Sequence, residues 1–290
     1  MLVDNYNTLH TIFSESEILI ATHCEDEQII KNNYDRIKKI KPELQPGDHP
    51  LIRDENACYA SSLMAIQLAQ KNNTRLHILH ISTQKELALF GNLAPLAEKR
   101  ITAEVCVHHL HFTAEDYERW GYKIKCNPAI KSPENKEALW NALINDQLDV
   151  IATDHAPHLL SEKQPPYEKA HAGLPLVQHP LLLMLYYYEQ KKISLIQIAQ
   201  KMSHAVADCF KIADRGYIRE GYFADLVLVD MNTPYTVTPN NILYKCGWSP
   251  FENFTFPHQI SATFVNGKPV YENGKVNDSY IGKRITFNRP

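Results

Sequence analysis

Short apolar runs alternate with longer mixed stretches over the first two thirds of the chain. Residues 18–22 (ILIAT) form a continuous apolar run, the pattern of a strand buried on both faces. A polar segment with helical spacing follows from residue 26 to residue 41, before the breakers Pro42, Pro46, Gly47 and Pro50. Residues 57–70 (ACYASSLMAIQLAQ) are rich in helix formers and lead, past Asn72-Asn73, into a second apolar run at 75–81 (RLHILHI). The alternation continues: residues 84–90 read as helix, 101–107 (ITAEVCV) as extended, 123–126 (KIKC) as extended, 134–143 as helix and 149–152 (DVIA) as strand.

Helix alternating with strand predicts parallel strands joined by crossover helices, hence an α/β barrel or open sheet. Two more helices are expected at 182–188 and 193–202. From Gly216 the texture turns strand-like, with runs at 224–229 and 260–265 and two Asn-Gly pairs, Asn266-Gly267 and Asn273-Gly274, that favour tight hairpins. The expected division is an α/β body over residues 1–215 and a small β unit with a C-terminal tail over 216–290.

Composition narrows the partners. The 290 residues carry 30 basic and 33 acidic side chains, a net charge of −3, so no electropositive field gathers nucleic acid. No window reaches the ~20 apolar residues of a membrane span, and the opening residues lack the basic-then-apolar plan of a signal peptide. Six cysteines without CxxC spacing argue against a zinc ribbon or a disulfide framework, and point to a reducing cytoplasm.

The 14 histidines are more informative. His23 follows ILIAT directly, and His80 stands at the end of RLHILHI; in a barrel such strand ends form the active face. His77, three residues before His80, is expected to face the other way as a packed or surface side chain. Asp154-His155-Ala156-Pro157-His158 places a carboxylate and two imidazoles just past a third apolar strand. His23, His80 and Asp154 together offer two nitrogens and an oxygen from three strands, a set that zinc accepts and that suits metal-assisted hydrolysis. There is no GxSxG elbow, phosphate-binding loop or dinucleotide turn.

The run Asp154-His155-Ala156-Pro157-His158, four residues and then Lys163 resembles a signature of dihydroorotases in the amidohydrolase superfamily. Further matches run almost end to end: Thr22-His23-Cys24-Glu25, Leu79-His80-Ile81-Ser82-Thr83, residues 104–110 (EVCVHHL), Asn127-Pro128, residues 221–230 (GYFADLVLVD) and Trp248-Ser249-Pro250-Phe251. The resemblance implies a (β/α)8 TIM-like metal-dependent hydrolase that opens dihydroorotate reversibly to N-carbamoyl-aspartate in pyrimidine biosynthesis, with a binuclear zinc site. His23 and His80 would be ligands of one metal, and Asp154 a ligand of the other and the general acid/base. Asn127, His158 and the backbone at Ala172 and Gly173 would hold the ring and its carboxylate. The pair His108-His109 would support a strand end without binding metal, and Lys131 and Lys163 are expected to be solvated. His158 favours dihydroorotases over the related hydantoinases and allantoinases, which stay open as alternatives.

The family also carries a His-x-His pair upstream and a lysine bridging the metals. Before His23 the only histidine is His10. The opening Met1-Leu2-Val3-Asp4-Asn5 resembles a stretch just after that lysine, so the expectation is an incomplete barrel with about four strands missing. Such a chain is expected to show little activity alone and to associate, as a homodimer or with a missing N-terminal half. A non-catalytic dihydroorotase-like fragment or partner subunit is the other reading.

Overall fold

The computed structural model describes Val3 and residues 5–288, so most of the opening stretch compared above lies outside the described residues. The chain divides into two compact units, Met1–Leu174 and Pro175–Pro290.

The first unit is built on four parallel strands in the order β1 (Ile20–Thr22), β2 (Leu76–Ile78), β3 (Ile101–Cys106) and β4 (Val150–Ala152). Every residue of β2 is buried, as is β3 from Thr102 onward, the pattern of a parallel sheet covered on both faces. Strand β1 lies at an edge and leaves Ala21 exposed. The sheet does not close into a barrel among the described residues, in agreement with the incomplete (β/α)8 architecture expected.

Among the described residues, eight α-helices accompany the sheet: α1 (Tyr6–Glu15), α2 (Glu27–Ile40), α3 (His49–Ile52), α4 (Glu55–Asn72), α5 (Gln84–Leu87), α6 (Val107–His111), α7 (Tyr117–Trp120) and α8 (Pro133–Ile144). Their starts follow local chemistry. Asp26 accepts the Ile29 amide at 2.8 Å to cap α2, and Asp54 accepts the Ala57 amide at 3.0 Å to cap α4. Asn73, at φ 53°, ends α4 in the left-handed region that Asn tolerates. Polar spacing hid α1, which Asn5 caps and Phe13, 1% exposed, anchors. Residues 123–126 are not a strand as expected: a 3-10 turn, Gly121–Ile124, occupies the segment, with Gly121 at φ 57° and the Tyr122 hydroxyl donating to the Leu44 carbonyl at 3.2 Å.

In the second unit, α9 (Pro180–Glu189), α10 (Leu195–Ala199), a π-turn at Gln200–His204 and α11 (Ala205–Phe210) precede the strands. A four-stranded antiparallel sheet pairs β5 (Leu226–Asp230), β8 (Gln259–Val265), β9 (Lys268–Glu272) and β10 (Lys275–Val276), while β6 (Tyr235–Thr236) pairs with β7 (Thr255–Phe256). Both Asn-Gly pairs form the tight turns of successive hairpins, with positive φ at Asn266, Gly267, Asn273 and Gly274. The second compact unit begins at Pro175 and includes α9, α10 and α11. Helix α9 packs with the strands, through Tyr186 against Phe254 at 5.1 Å and Glu189 against His258 at 3.0 Å. No helix of the described residues is long and apolar enough to cross a membrane.

A buried ion pair pins β3 to β4. Lys99 Nζ lies 2.7 Å from Asp149 Oδ1, with the side chains 8% and 4% exposed, and Asp149 Oδ2 accepts the Ala103 amide at 3.0 Å. Lys99→Met leaves that carboxylate buried without its cation and is expected to cost about 3–5 kcal/mol, read as a lower urea midpoint with an unchanged m-value.

Candidate functional site

Three candidate ligands stand at strand carboxyl ends. His23 is the first residue after β1, and His80 and Asp154 each lie two residues past β2 and β4. The last two share a backbone device, φ 39° at His80 and 46° at Asp154, that turns the chain sharply off the sheet. Positive φ is uncommon outside glycine, and such strain gathers at functional sites. Neighbouring strands fix the turn, because Leu79 donates its amide to the Thr22 carbonyl at 3.0 Å and Ile81 to the Glu104 carbonyl at 2.8 Å.

His23 Nδ1 lies 3.0 Å from His80 Nε2, and the rings meet edge to face. Beyond it, His23 Nε2 lies 3.1 Å from Glu25 Oε2, and the same oxygen takes the Arg53 guanidinium. Burial opposes the Glu25 charge, but the bonds from His23 and Arg53 outweigh it and hold the carboxyl at about 2. Burial, then the His23 charge, press His80 down to about 4, so it is a neutral imidazole at pH 7. Asp154 is exposed, two residues past the end of β4. Desolvation raises its proton affinity and so does the Glu104 charge, while His23 lowers it, which places its carboxylate within electrostatic reach of both.

These residues fit a divalent cation. Zinc–nitrogen bonds of ~2.0–2.1 Å put two tetrahedral ligands of one ion ~3.3 Å apart, close to the 3.0 Å between the two imidazoles. The Glu25 carboxylate on the far nitrogen of His23 is the outer partner a metal-binding imidazole usually has.

The four expected substrate contacts fall into two pairs. Asn127 and Ala172 line a cavity of about 490 Å³, along with His49, Arg53, Lys125 and Tyr167. His158 and Gly173 lie against each other on the following loop: a Cβ at Gly173, φ 137°, would meet the Ala156 carbonyl at 2.5 Å and the His158 ring at 3.1 Å. Arg53 connects the cavity to the imidazoles through Glu25.

Sequence reasoning missed several residues that build this site. His49 is buried, and its Nε2 faces the Cys126 carbonyl at 2.8 Å and Asn127 Oδ1 at 3.1 Å. Because a carbonyl only accepts, Nε2 carries the proton, and Nδ1 accepts from the Tyr167 hydroxyl at 2.8 Å. Glu104 receives the His80 amide at 3.3 Å and faces His77 Nε2 at 3.1 Å; of the two readings for His77, packed or surface, the structure shows the packed one. Glu25, two residues after His23, was the one local signal available. Both lysines expected in solvent are buried. Lys131, 5% exposed, reaches the Ala129 carbonyl at 2.9 Å, and Lys163, 4% exposed, donates to the carbonyls of Lys125, His171 and Gly173 at 2.8–2.9 Å. Those three acceptors use all three N–H bonds of an ammonium and hold the Ala172–Gly173 segment against the one bearing Asn127.

Residues 13–270 match the amidohydrolase family, and the chain belongs to that family. It is 34% identical over 275 residues to a dihydroorotase of Pyrococcus horikoshii, covering 94% of this chain and 59% of that protein. It is 30% identical over 275 residues to an allantoinase of Desulfitobacterium hafniense, covering 92% of this chain and 59% of that protein. Among solved structures, an L-hydantoinase from Arthrobacter aurescens superposes with a TM-score of 0.87 at 25% identity, over 94% of this chain and 62% of the other. The chain thus spans about three fifths of the length of the relatives it matches.

Burial lowers His49 to about 3, against ~6.5 in an unfolded chain. The unfolded state therefore binds the extra proton between these values, and stability is lost as pH falls from ~6.5 toward 3. His49→Gln is expected to flatten that limb of a stability-against-pH curve measured by urea unfolding.

Proposed function

We propose that this chain carries the His23, His80 and Asp154 side of a metal-dependent site that hydrolyses a cyclic amide, with dihydroorotate, opened to N-carbamoyl-aspartate, as its substrate. The observation that supports it best is the gathering of two imidazoles and a carboxylate at the ends of three parallel strands, beside a cavity with its own cations. The relative named dihydroorotase, at 34% identity, agrees with it.

Zinc is the cation proposed, with His23 and His80 holding one ion and Asp154 a neighbouring one. When bound, it polarises the amide carbonyl and makes water a nucleophile at neutral pH. Asp154 accepts a proton from the attacking water as the C–O bond forms, and returns it to the ring nitrogen as the C–N bond breaks. Its raised proton affinity suits that exchange. His23 is held in one orientation by Glu25 and Arg53. Asn127 and the backbone at Ala172 position the ring, Arg53 and Lys125 offer positive charge to its carboxylate, and His158 and Gly173 complete the loop behind it.

In a zinc-loaded preparation, Asp154→Asn should lower dihydroorotate ring opening by about 10²–10⁴-fold with an unchanged circular dichroism spectrum. An unaltered rate in the folded variant would remove Asp154 from the mechanism.

A second reading, a hydantoin or allantoin ring as substrate, draws on the relative named allantoinase and the solved L-hydantoinase. His158→Ala separates the two. Loss of dihydroorotate opening with retained hydantoin opening favours the second reading, and loss of neither would take His158 out of substrate binding.

A further inference from the structure

Both ring nitrogens of His49 are engaged inside the protein, on the wall of the cavity that holds Asn127. The residue is 1% exposed at the start of α3, and its ring bridges Tyr167 to the Cys126–Asn127 segment. Burial holds it at about 3, so at pH 7 the ring is neutral and has one N–H and one lone pair. The Cys126 carbonyl fixes which is which. A carbonyl only accepts, so the proton is on Nε2; that N–H also lies 3.1 Å from Asn127 Oδ1, and this orientation of the amide puts its oxygen toward the imidazole.

Asn127 is half-buried, and with its oxygen turned to His49 it has Nδ2 left, which no acceptor among the described residues takes. Tyr167 ties this amide to the nearest cation. Its hydroxyl donates to His49 Nδ1 at 2.8 Å, its carbonyl takes Lys125 Nζ at 2.7 Å, and its ring centre lies 4.2 Å from that ammonium. The Ala170 carbonyl takes a second N–H of Lys125 at 2.6 Å, which leaves one for a ligand. Of the two carboxylates that also line the cavity, Glu168 is taken by Tyr34 and Lys38, and Glu27 stands at the start of α2.

We infer that His49 is a positioning residue that makes Asn127 a hydrogen-bond donor to the cavity, so that the cavity selects a ring presenting a carbonyl oxygen, not an N–H, at that point. This rests on the reading of a cyclic amide as substrate and adds what fixes the ring's register. Along one side of the dihydroorotate ring, N–H and carbonyl groups alternate over four successive positions. A ring shifted by one position sets N–H against N–H and leaves both unmatched, which costs more than a matched pair contributes. An amide free to turn would suit either register, whereas a pinned one suits a single register. Register in turn decides which C–N bond of the ring is brought to the strand ends that carry His23, His80 and Asp154. A pocket that enforces a hydrogen bond discriminates far more strongly than one that merely fits a shape.

The test is calorimetric titration of the zinc-loaded chain with orotate, which keeps the alternating ring positions and the carboxylate of dihydroorotate. His49→Leu removes the N–H that pins Asn127 and should weaken orotate binding by about 10-fold or more, the effect of one hydrogen bond no longer enforced. His49→Gln, whose side-chain amide can accept from Tyr167 and donate to Asn127, should stay within about 3-fold of wild type. A role in packing alone would lower stability without this split in affinity. Wild-type affinity in folded His49→Leu, or an equal loss in both variants, would overturn the inference and leave the hydrolytic reading standing. No orotate binding by the folded wild-type chain would overturn both. If His49→Leu does not fold, nitrogen NMR of the labelled wild-type chain decides it, with the His49 signals identified by their loss in His49→Gln. The expected state, with and without orotate, is a protonated Nε2 and a bare Nδ1, and a proton on Nδ1 would overturn the inference.

Discussion

Parallel strand direction is the constraint on which the first unit depends. Because β1, β2, β3 and β4 run the same way in neighbouring register, their carboxyl ends meet along one rim. Residues distant in sequence therefore become neighbours without any loop having to find them, and His23 and His80, 57 positions apart, reach hydrogen-bond distance. The left-handed turns at His80 and Asp154 complete the arrangement by taking the chain off the sheet immediately, so that the side chains stay at the rim. Without the ladder these two backbone conformations would be strain with nothing to maintain them.

Polarity behind the rim is organised in layers. Arg53 neutralises Glu25, and Glu25 orients His23; Glu104 joins His77 to the His80 backbone. Each buried carboxylate has a donor or cation facing it, the condition under which a low-dielectric interior tolerates charge. His49 plays the same part for the cavity, satisfied as a neutral ring by one carbonyl and one hydroxyl while it fixes which end of the Asn127 amide faces it.

Most of this framework was legible in the sequence where the signal is periodic. Continuous apolar runs located all four parallel strands, and the Asn-Gly pairs located two hairpins, because burial on both faces and positive φ each demand particular residue types. The strand-end imidazoles and Asp154 were legible from position alone. Glu25, Arg53, Glu104 and His49 were not. Their roles arise from contacts across 24 to 118 residues, and a polar residue in an alternating pattern looks the same whether it meets water or a buried partner. Lys131 and Lys163 misled for the same reason: lysine usually reaches solvent, and only the fold reveals carbonyls waiting for it. Helix α9 continues the periodicity of the body, yet it packs beside the strands that follow it, through Tyr186 against Phe254.

The three-carbonyl clamp at Lys163 also governs how the cavity can breathe. One ammonium ties the loop ahead of Leu174 to the Lys125 segment at several points at once, so that loop moves as part of the scaffold. The opposite rim is fastened differently: Glu168 reaches α2 through Tyr34 and Lys38, and these contacts are exposed to solvent. Exposed pairs are weakened by ordinary salt, whereas buried clamps are not. Ionic strength therefore acts as a selective loosener here, easing the α2 side of the entrance and leaving the inner wall rigid.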